Sequence, residues 1–403
     1  MNTGQLVARV LDPDWLSEQA GRSVRAARLR IKPRTSLVVG LDDTAGQPAG
    51  WLRLLWPISH NKAARTRGQA RELGLETAEH ELGELLVQTG PLPADPKLLT
   101  RIAAATTAGK LGAREASQVL RYNPLRRLVV RDGTRVVRVA TSRDRGVAFD
   151  RFVAGVVETP LRLDDGTLEG VSVHAFTGDQ DLAGLLAGNP PRRPSDGSRL
   201  SRPASDSDGS WLSRPASEAS GPCRNHPDPV RAAGAMLARL HAAAIPGDLA
   251  RRLAARAADS VAQGLAHAAL FDELSPGLAE RMRRVVARFP GVASAMPVLS
   301  HGDLSPDQVL TTRTGDRVWL TDFDRACLAP RAVDLGSFLA VLGDDAFLDG
   351  YRDGGGQLPP GDQLRRAVAA SLILRAADPL RRASRDWEQE ISAHLDRTLE
   401  VVT

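Results

Sequence analysis

Residues 300–324 read SHGDLSPDQVLTTRTGDRVWLTDFD, and this stretch predicts both a local fold and a chemistry. Two β-prone runs flank the turn residues Thr314–Asp316, a pattern typical of a β-hairpin. If those three residues form the loop, Arg313 pairs with Arg317 and the register continues outward from that pair. Gln308 then lies opposite Asp322 at the open end of the hairpin. We refer to residues 300–324 as the catalytic hairpin.

The open end of the catalytic hairpin gathers side-chain oxygens. Asp324 follows Asp322 by two residues, and Asp303 lies five residues upstream of Gln308 on an irregular loop. Ligands that are all oxygen suit a hard cation such as Mg²⁺, which binds one or two protein groups together with substrate phosphates. A further carboxylate beside such an ion can orient and deprotonate a hydroxyl. The sequence therefore predicts a magnesium site with a general base next to it.

The bulk composition limits the alternatives. The chain has 403 residues, of which 42% are hydrophobic and 25% charged, with a net charge of +5, as expected for two or three compact units. Aromatic residues are only 4%, which argues against stacking platforms for single-stranded nucleic acid. No membrane span or signal peptide is visible, and Cys223 and Cys327 are too few for a disulfide framework. We therefore expect a cytoplasmic protein that binds neither nucleic acid nor a membrane.

Lysine is nearly absent. Lys32, Lys62, Lys97 and Lys110 are the four lysines among 53 basic residues, and none follows Lys110. This excludes a Schiff base or a phosphate-loop lysine in the last three quarters of the chain. Arginine is left to supply cationic contacts there.

The N-terminal half contains a distant repeat. Residues 29–39 (LRIKPRTSLVV) and 120–130 (LRYNPLRRLVV) share six of eleven positions, and each predicts strand, proline turn and strand. Asp132 and Gly133 then give a strong hairpin signal into a further strand at 134–140. Two β-rich units are thus expected, separated by a helical stretch around 65–118.

The second half changes character twice. Residues 190–229 are rich in Pro, Ser, Arg, Asp and Gly and predict a disordered insertion. Residues 231–298 and 331–400 show helical periodicity on either side of the catalytic hairpin.

Several motifs in this order resemble one family. His301-Gly-Asp303, Gln308 and Asp322-Phe-Asp324 are followed by Asp334-Leu-Gly336, and they are preceded by Leu237-Ala-Arg-Leu-His241 and Phe176-Thr-Gly. Together, over residues 118–342, they resemble the aminoglycoside phosphotransferase and choline kinase superfamily. Glutamine at position 308 and the extra N-terminal unit are similar to the maltokinase-like and glucosamine-kinase-like sugar kinase branch.

The resemblance implies an α+β, protein-kinase-like fold of two lobes with an added cap. Residues 1–117 would form the N-terminal cap with a β-hairpin and a helical region, and residues 118–182 the small β-rich lobe. Residues 183–229 would be a disordered insertion, and residues 230–403 a helical lobe that carries the catalytic hairpin.

The same resemblance implies roles for individual residues, with ATP and Mg²⁺ as cofactors. Asp303 would be the catalytic base and His301 would brace its loop. Gln308 and Asp322 would hold Mg²⁺ on the ATP phosphates, with Asp324 assisting.

On the nucleotide side, Phe176 would lie at the hinge between the lobes. Arg138 stands where the family has a phosphate-binding lysine. The turn 123–127 has no glycine, so Arg126 and Arg127 would contact phosphate through their side chains. Lys32, reaching in from the cap, is an alternative.

The implied function is ATP-dependent phosphorylation of a hydroxyl on a small polar metabolite, such as a sugar, amino sugar or aminoglycoside. A pseudokinase that binds nucleotide without turnover is the main alternative. A metal-dependent phosphoesterase is less favoured, because the histidines do not cluster in the sequence.

Overall fold

The computed structural model describes residues 3–112, 117–142, 145–188, 228–253, 258–292 and 295–402. The helices are α1 (Thr3–Leu11), α2 (Pro13–Ala20), α3 (Asn61–Glu72), α4 (Leu99–Thr107), α5 (Val147–Ala154), α6 (Leu182–Leu186), α7 (Pro229–Ala242), α8 (Gly247–Arg252), α9 (Ser260–Asp272), α10 (Pro276–Arg288), α11 (Ala332–Leu339), α12 (Asp345–Asp353), α13 (Gly361–Arg375), α14 (Asp378–Arg381) and α15 (Trp387–Val402). The strands are β1 (Arg25–Lys32), β2 (Ser36–Asp42), β3 (Pro48–Leu55), β4 (Ala78–Leu82), β5 (Leu85–Gly90), β6 (Ser117–Asn123), β7 (Arg127–Asp132), β8 (Arg135–Ala140), β9 (Val171–Ala175), β10 (Gln180–Asp181), β11 (Pro297–Ser300), β12 (Val309–Thr311), β13 (Val318–Leu320) and β14 (Cys327–Pro330).

The N-terminal cap is built on an antiparallel sheet in the order β1-β2-β3-β5-β4. The sequence predicted one hairpin here, followed by helix, but β4 and β5 interrupt the helical stretch between α3 and α4. β4 reads AEHEL and lies at the sheet edge with its side chains mostly exposed. The sequence did not predict this strand because its residues are polar, and an exposed edge strand needs no apolar face.

The small lobe is a second antiparallel sheet in the order β6-β7-β8-β9. It begins with the second copy of the repeat, and the two copies adopt the same turn. The residue after the proline has a left-handed backbone in both copies, with φ of 53° at Arg34 and 62° at Leu125. The repeated sequence therefore encodes a repeated hairpin.

The cap packs against both lobes. On one face of its sheet, Leu37 and Val39 share a fully buried core with Phe271 of α9 and Ile391 of α15. Elsewhere in the cap, Trp51 is buried in a core that includes α4 and the small-lobe sheet. The burial of each such large side chain stabilises the fold by about 1.5–3 kcal/mol. The cap is therefore a fixed wall of the cleft between the lobes.

The helical lobe has its own core, in which α7 packs on α12 beneath the catalytic hairpin. The β-rich first part and the helical second part confirm the predicted α+β, protein-kinase-like fold. The region predicted as an insertion, with Cys223, falls mostly outside the described residues, although residues 183–186 belong to α6. Within the described ranges, no helix combines the length and apolar character needed to cross a membrane.

Candidate active site

The loop of the catalytic hairpin is longer than the sequence predicted. It has four residues, Arg313–Asp316, and is closed by a hydrogen bond of 3.3 Å from the amide of Thr312 to the carbonyl of Arg317. The carboxylate of Asp316 accepts hydrogen bonds from the hydroxyls of Thr312 and Thr314. These bonds stabilise a loop that a turn signal alone does not specify.

The longer loop makes the predicted register wrong by one residue. Gln308 lies opposite Thr321, whose amide donates to the Gln308 carbonyl at 3.0 Å, and not opposite Asp322. Asp322 instead leaves the strand with φ 65° and ψ 50°. This left-handed conformation costs about 1–3 kcal/mol for a residue other than glycine. It takes the Asp322 side chain out of the strand alternation.

The Asp322 carboxylate meets the small lobe. Nη1 of Arg127, on β7, donates to both of its oxygens at 2.7 and 2.8 Å. Burial by itself opposes ionisation of Asp322, but the charge and hydrogen bond of Arg127 outweigh it and hold the pKa of this carboxyl below its ordinary value. Asp322 is therefore a carboxylate at neutral pH.

Asp324 makes a parallel contact with the next strand. Nη2 of Arg138, on β8, donates to Oδ2 of Asp324, and Nη2 of Arg145 donates to the Asp324 carbonyl at 2.9 Å. Burial, together with the nearby charge of Asp322, raises the pKa of Asp324 despite this arginine contact. Asp322 is thus bound by Arg127, and Asp324 by Arg138 with Arg127 3.8 Å away.

Asp303 lies on the helical-lobe side of the cleft and is about one third exposed. Nη2 of Arg375, at the end of α13, lies 3.4 Å from Oδ1 of Asp303, and Nη1 of Arg325 lies 3.5 Å from Oδ2. Arg375 also donates to the hydroxyls of Ser337 and Ser371. Long ion pairs of this kind hold the carboxylate in place and leave its lone pairs accessible from the cleft.

The loop that carries Asp303 is fixed from below by Asp334. This fully buried carboxylate accepts from the amides of His301 (2.7 Å) and Gly302 (2.8 Å) and contacts Nε2 of His241 at 3.1 Å. Burial opposes ionisation, yet the hydrogen bond and charge of His241 and the other donors keep the pKa of Asp334 below its ordinary value. Gly302 has φ 82°, and a Cβ there would lie 2.2 Å from the Arg325 carbonyl oxygen. Only glycine fits this position.

His301 is fully buried and does not face the cleft. Its Nε2 lies 2.8 Å from the carbonyl oxygen of Thr321, and its ring packs on Phe323 with centroids 4.7 Å apart. The ring therefore joins the Asp303 loop to the end of β13. His301 thus lies beneath the cleft and does not line it.

Gln308 carries an orphaned oxygen. Its Oε1 is buried and has no hydrogen-bond partner among the described residues. Those residues contain no group of three or more His, Cys, Asp or Glu arranged to hold a metal. A site made of one amide oxygen and one or two carboxylates fits Mg²⁺ all the same, because this ion takes its remaining ligands from water and phosphate. The donor set present therefore suits the ion that the sequence predicted.

The segment 176–181, which the sequence assigned to the hinge between the lobes, lies against the catalytic hairpin. The amide of Asp179 donates to the Thr311 carbonyl at 2.8 Å, and β10 adds a third strand beside β12. Phe176 lies at the cleft wall with the guanidinium of Arg131 3.8 Å above its ring.

The structure brings together all but one of the residues singled out from the sequence. Those that line one common cleft are Asp303, Gln308, Asp322, Asp324, Arg126, Arg127, Arg138 and Phe176. Arg126 lies apart from the two hairpin aspartates, among other arginines. His301 is the exception, since it lies beneath the cleft.

Two features of the site were missed by sequence reasoning. The motifs containing His241 and Asp334 were noted separately, but nothing in the sequence shows that these side chains bond to each other. No sequence pattern pointed to Arg375 either, because the chain has many arginines and this one lies 72 positions after Asp303.

The chain is similar to one protein family and to several solved structures. A family model described as "APH: Phosphotransferase enzyme family" matches residues 111–371. No curated protein matches the chain significantly. A choline/ethanolamine kinase family protein from Mesorhizobium loti is 17% identical, with 75% of this chain and 94% of that chain covered and a TM-score of 0.46. A macrolide 2'-phosphotransferase from Brachybacterium faecium is 18% identical, with 75% and 98% covered and a TM-score of 0.42. A wild-type aminoglycoside 2'-phosphotransferase in complex with GDP is 16% identical, with 75% and 98% covered and a TM-score of 0.47.

Proposed function

The chain belongs to the phosphotransferase enzyme family, and from that premise we propose that it transfers the γ-phosphoryl group of ATP to a hydroxyl of a small polar metabolite, such as a sugar, amino sugar or aminoglycoside. The observation that carries the proposal is the convergence of Asp303, Gln308 and Asp322 on one cleft between the lobes. Buried, unpaired Cys327 suits the reducing cytoplasm as the place of this activity.

Asp303 accepts the proton of the acceptor hydroxyl as its oxygen attacks the γ-phosphorus. The new O–P bond forms while the bond from the γ-phosphorus to the β–γ bridging oxygen breaks, and ADP leaves with that electron pair. Arg375 and Arg325 hold the Asp303 carboxylate in position. Most of the rate enhancement comes from positioning and charge neutralisation.

Gln308 and Asp322 would hold Mg²⁺, with Asp324 beside them, and the bound ion would neutralise charge on the nucleotide phosphates. Arg127 and Arg138 supply the cationic contacts that a lysine gives elsewhere in this family. Each can turn from its aspartate to a phosphate oxygen, since a guanidinium binds both groups in the same forked manner.

Replacing Arg138 with alanine should raise the KM for ATP or lower kcat by about 10- to 100-fold, the effect of one charge-assisted hydrogen bond to phosphate. Arg138→Lys should retain most of the activity, because it keeps the charge. Steady-state kinetics with varied ATP measures both effects. Lys32→Ala is the control from the cap. If neither alanine variant changes KM or kcat, the arginine does not replace the missing lysine.

Replacing Gln308 with leucine should weaken Mn²⁺ binding to the ADP-bound protein by roughly 10-fold, as measured by electron paramagnetic resonance. The expected cause is loss of the orphaned Oε1, which bonds to nothing else in the described protein, so the thermal midpoint should change little. Gln357→Leu is the control, because its side chain is exposed away from the cleft. Unchanged Mn²⁺ affinity in Gln308→Leu would show that this oxygen is not a ligand.

One observation favours a second candidate, a nucleotide-binding pseudokinase. Asp322 and Asp324 are each engaged by an arginine, which leaves their charge already compensated. A phosphorylation screen with radiolabelled ATP over a broad hydroxyl panel separates the two candidates. Transfer that depends on Asp303 supports the kinase, whereas intact nucleotide binding with no transfer to any acceptor supports the pseudokinase. Release of phosphate from a monoester without nucleotide would indicate a phosphoesterase.

A further inference from the structure

The positive charge of this protein is concentrated in its cleft. The whole chain has 53 Lys and Arg against 48 Asp and Glu. The cleft, about 4360 Å³ in volume, is lined by 21 Lys and Arg against 11 Asp and Glu. Among the described residues, those outside the cleft include fewer Lys and Arg than Asp and Glu, so the cleft is selectively cationic. Arg127 and Arg138 account for only part of this excess.

A group of arginines lies beyond the two hairpin aspartates, where the cap meets the helical lobe. We call it the arginine cluster, and its members are Arg28 and Arg30 of β1, Arg126 of the β6–β7 turn, Arg325 directly after the catalytic hairpin and Arg381 of α14. β1 and α14 approach each other across this part of the cleft. Four segments distant in sequence thus contribute guanidinium groups to the lining of this cleft.

Arg126 lies close enough to Arg30, Arg325 and Arg381 for their charges to act on it. Burial, then the charges of Arg30, Arg381, Arg325 and Arg127, lower the pKa of Arg126. Burial and the charge of Arg121 lower the pKa of Arg28 to about 10 against the opposing charges of Asp378 and Asp307, so Arg28 stays charged at neutral pH.

Few carboxylates offset this charge. Arg381 bonds to Asp378 at 2.9 Å, and Arg325 reaches Asp303 at 3.5 Å. Asp378 and Asp307 lie near enough to Arg28 to raise its pKa, whereas within the described residues no carboxylate forms an ion pair with Arg30 or Arg126. Like charges held together with so few carboxylates beside them are unfavourable for the folded protein by itself, which indicates a site kept for a ligand of opposite charge.

The arginine cluster adjoins the catalytic base. Arg325 contacts Asp303 and also lies near enough to Arg126 to affect its pKa. An acceptor whose hydroxyl reaches Asp303 would therefore extend toward these guanidinium groups. The acidic residues Asp344, Asp345 and Asp349, near and on α12, do not line the cleft and offer no compensation to an ammonium group there.

We propose that the acceptor is an anion, a hydroxylated metabolite that carries a phosphate or a carboxylate bound by the arginine cluster. This inference rests on the proposed function, because it names the acceptor of that same site. Guanidinium groups bind both anions through paired, charge-assisted hydrogen bonds. Amino sugars and aminoglycosides, which are ammonium ions at neutral pH, are disfavoured.

Binding of four sugars that share one ring tests the proposal directly. The full chain, saturated with ADP and Mg²⁺ so that the nucleotide site is filled, is titrated calorimetrically with glucose 6-phosphate, glucuronate, glucose and glucosamine. At least one anionic sugar should bind at least about 10-fold more tightly than glucose and glucosamine. The better of the two anions identifies phosphate or carboxylate as the recognised group. Equal binding of all four, tightest binding of glucosamine, or no binding at all would overturn the proposal.

Variants of the cap connect this binding to the arginine cluster. Arg30→Met should weaken the binding of the anionic sugar by about 10- to 100-fold and leave the affinity for glucose unchanged. Arg28→Met is a second variant in case the first is unstable. Arg71→Met, which removes an exposed arginine of the same cap outside the cleft, is the matched control. An unchanged affinity in folded Arg30→Met and Arg28→Met, or an equal loss in Arg71→Met, would refute the assignment.

A transfer assay with the same sugars and kanamycin separates the two proposals. Suppose that phosphoryl transfer depends on Asp303 and reaches a cationic acceptor but none of the anionic ones. This result would overturn the proposal of an anionic acceptor and would still support the kinase function. Anion binding that requires Arg30, without transfer to any acceptor, would instead contradict the kinase function.

Discussion

Asp303→Asn is expected to lower kcat by about 10²- to 10⁴-fold, the usual contribution of a positioned general base. Asparagine has nearly the same size but cannot accept the hydroxyl proton as a carboxylate does. The ion pairs with Arg325 and Arg375 are long, at 3.5 and 3.4 Å, so their loss should not unfold the protein. The KM for ATP should change less than about threefold, since Asp303 makes its proposed contact with the acceptor. Steady-state kinetics on the best acceptor of the panel measures both constants.

The matched control for this variant is Asp307→Asn. Asp307 lies on the same loop and contacts the Ser305 hydroxyl at 2.5 Å and Arg121 of β6 at 3.9 Å. Its replacement should leave kcat within about threefold, because it is not placed to reach the acceptor hydroxyl. If Asp303→Asn keeps full turnover while the protein remains folded, Asp303 is not the base.

Asp334→Ala is expected to destabilise the protein by about 3–5 kcal/mol, the cost of leaving the partners of a buried charge uncompensated. The amides of His301 and Gly302 and the ring of His241 would all lose their acceptor. Urea denaturation should show a lower midpoint. Activity should fall even where the variant is folded, because the loop carrying Asp303 loses its anchor.

The pH dependence gives a second measurement of Asp334. Its folded-state pKa lies below the ordinary carboxyl value, so its contribution to stability is present above that value and lost as the pH falls through the folded-state pKa. The stability difference between wild type and Asp334→Asn should therefore shrink on acidification below about pH 4. Asp345→Ala, at an exposed position on α12, should show no such difference. A difference that does not vary with pH would show that the charge of Asp334 does not stabilise the fold.

The catalytic hairpin shows how far local pattern analysis reaches. The sequence predicted a hairpin carrying Gln308 and two aspartates, because β-propensity and turn residues act over a few neighbouring positions. It did not predict the register, since a network of threonine hydroxyls and Asp316 added one residue to the loop. A shift of one position is enough to move a side chain to the other face of a strand.

The cap shows the opposite limit. Its first hairpin was predicted from the repeat and the proline turn, both of which are local. The polar strand β4 was not predicted. It is a strand because it pairs with β5, and its own sequence has no apolar pattern that would indicate one.

The sequence by itself determined the family, the two proline hairpins and the short motifs around Asp303 and Asp322, because these depend on residues close together in the chain. Only the tertiary structure decided that Arg127 and Arg138 bind the hairpin aspartates, that Asp334 bonds to His241, and that β1, the β6–β7 turn and α14 bring their arginines together. Those contacts join residues up to hundreds of positions apart. They form because hydrophobic burial packs the cap against both lobes, and the charged side chains meet where that packing leaves a cleft.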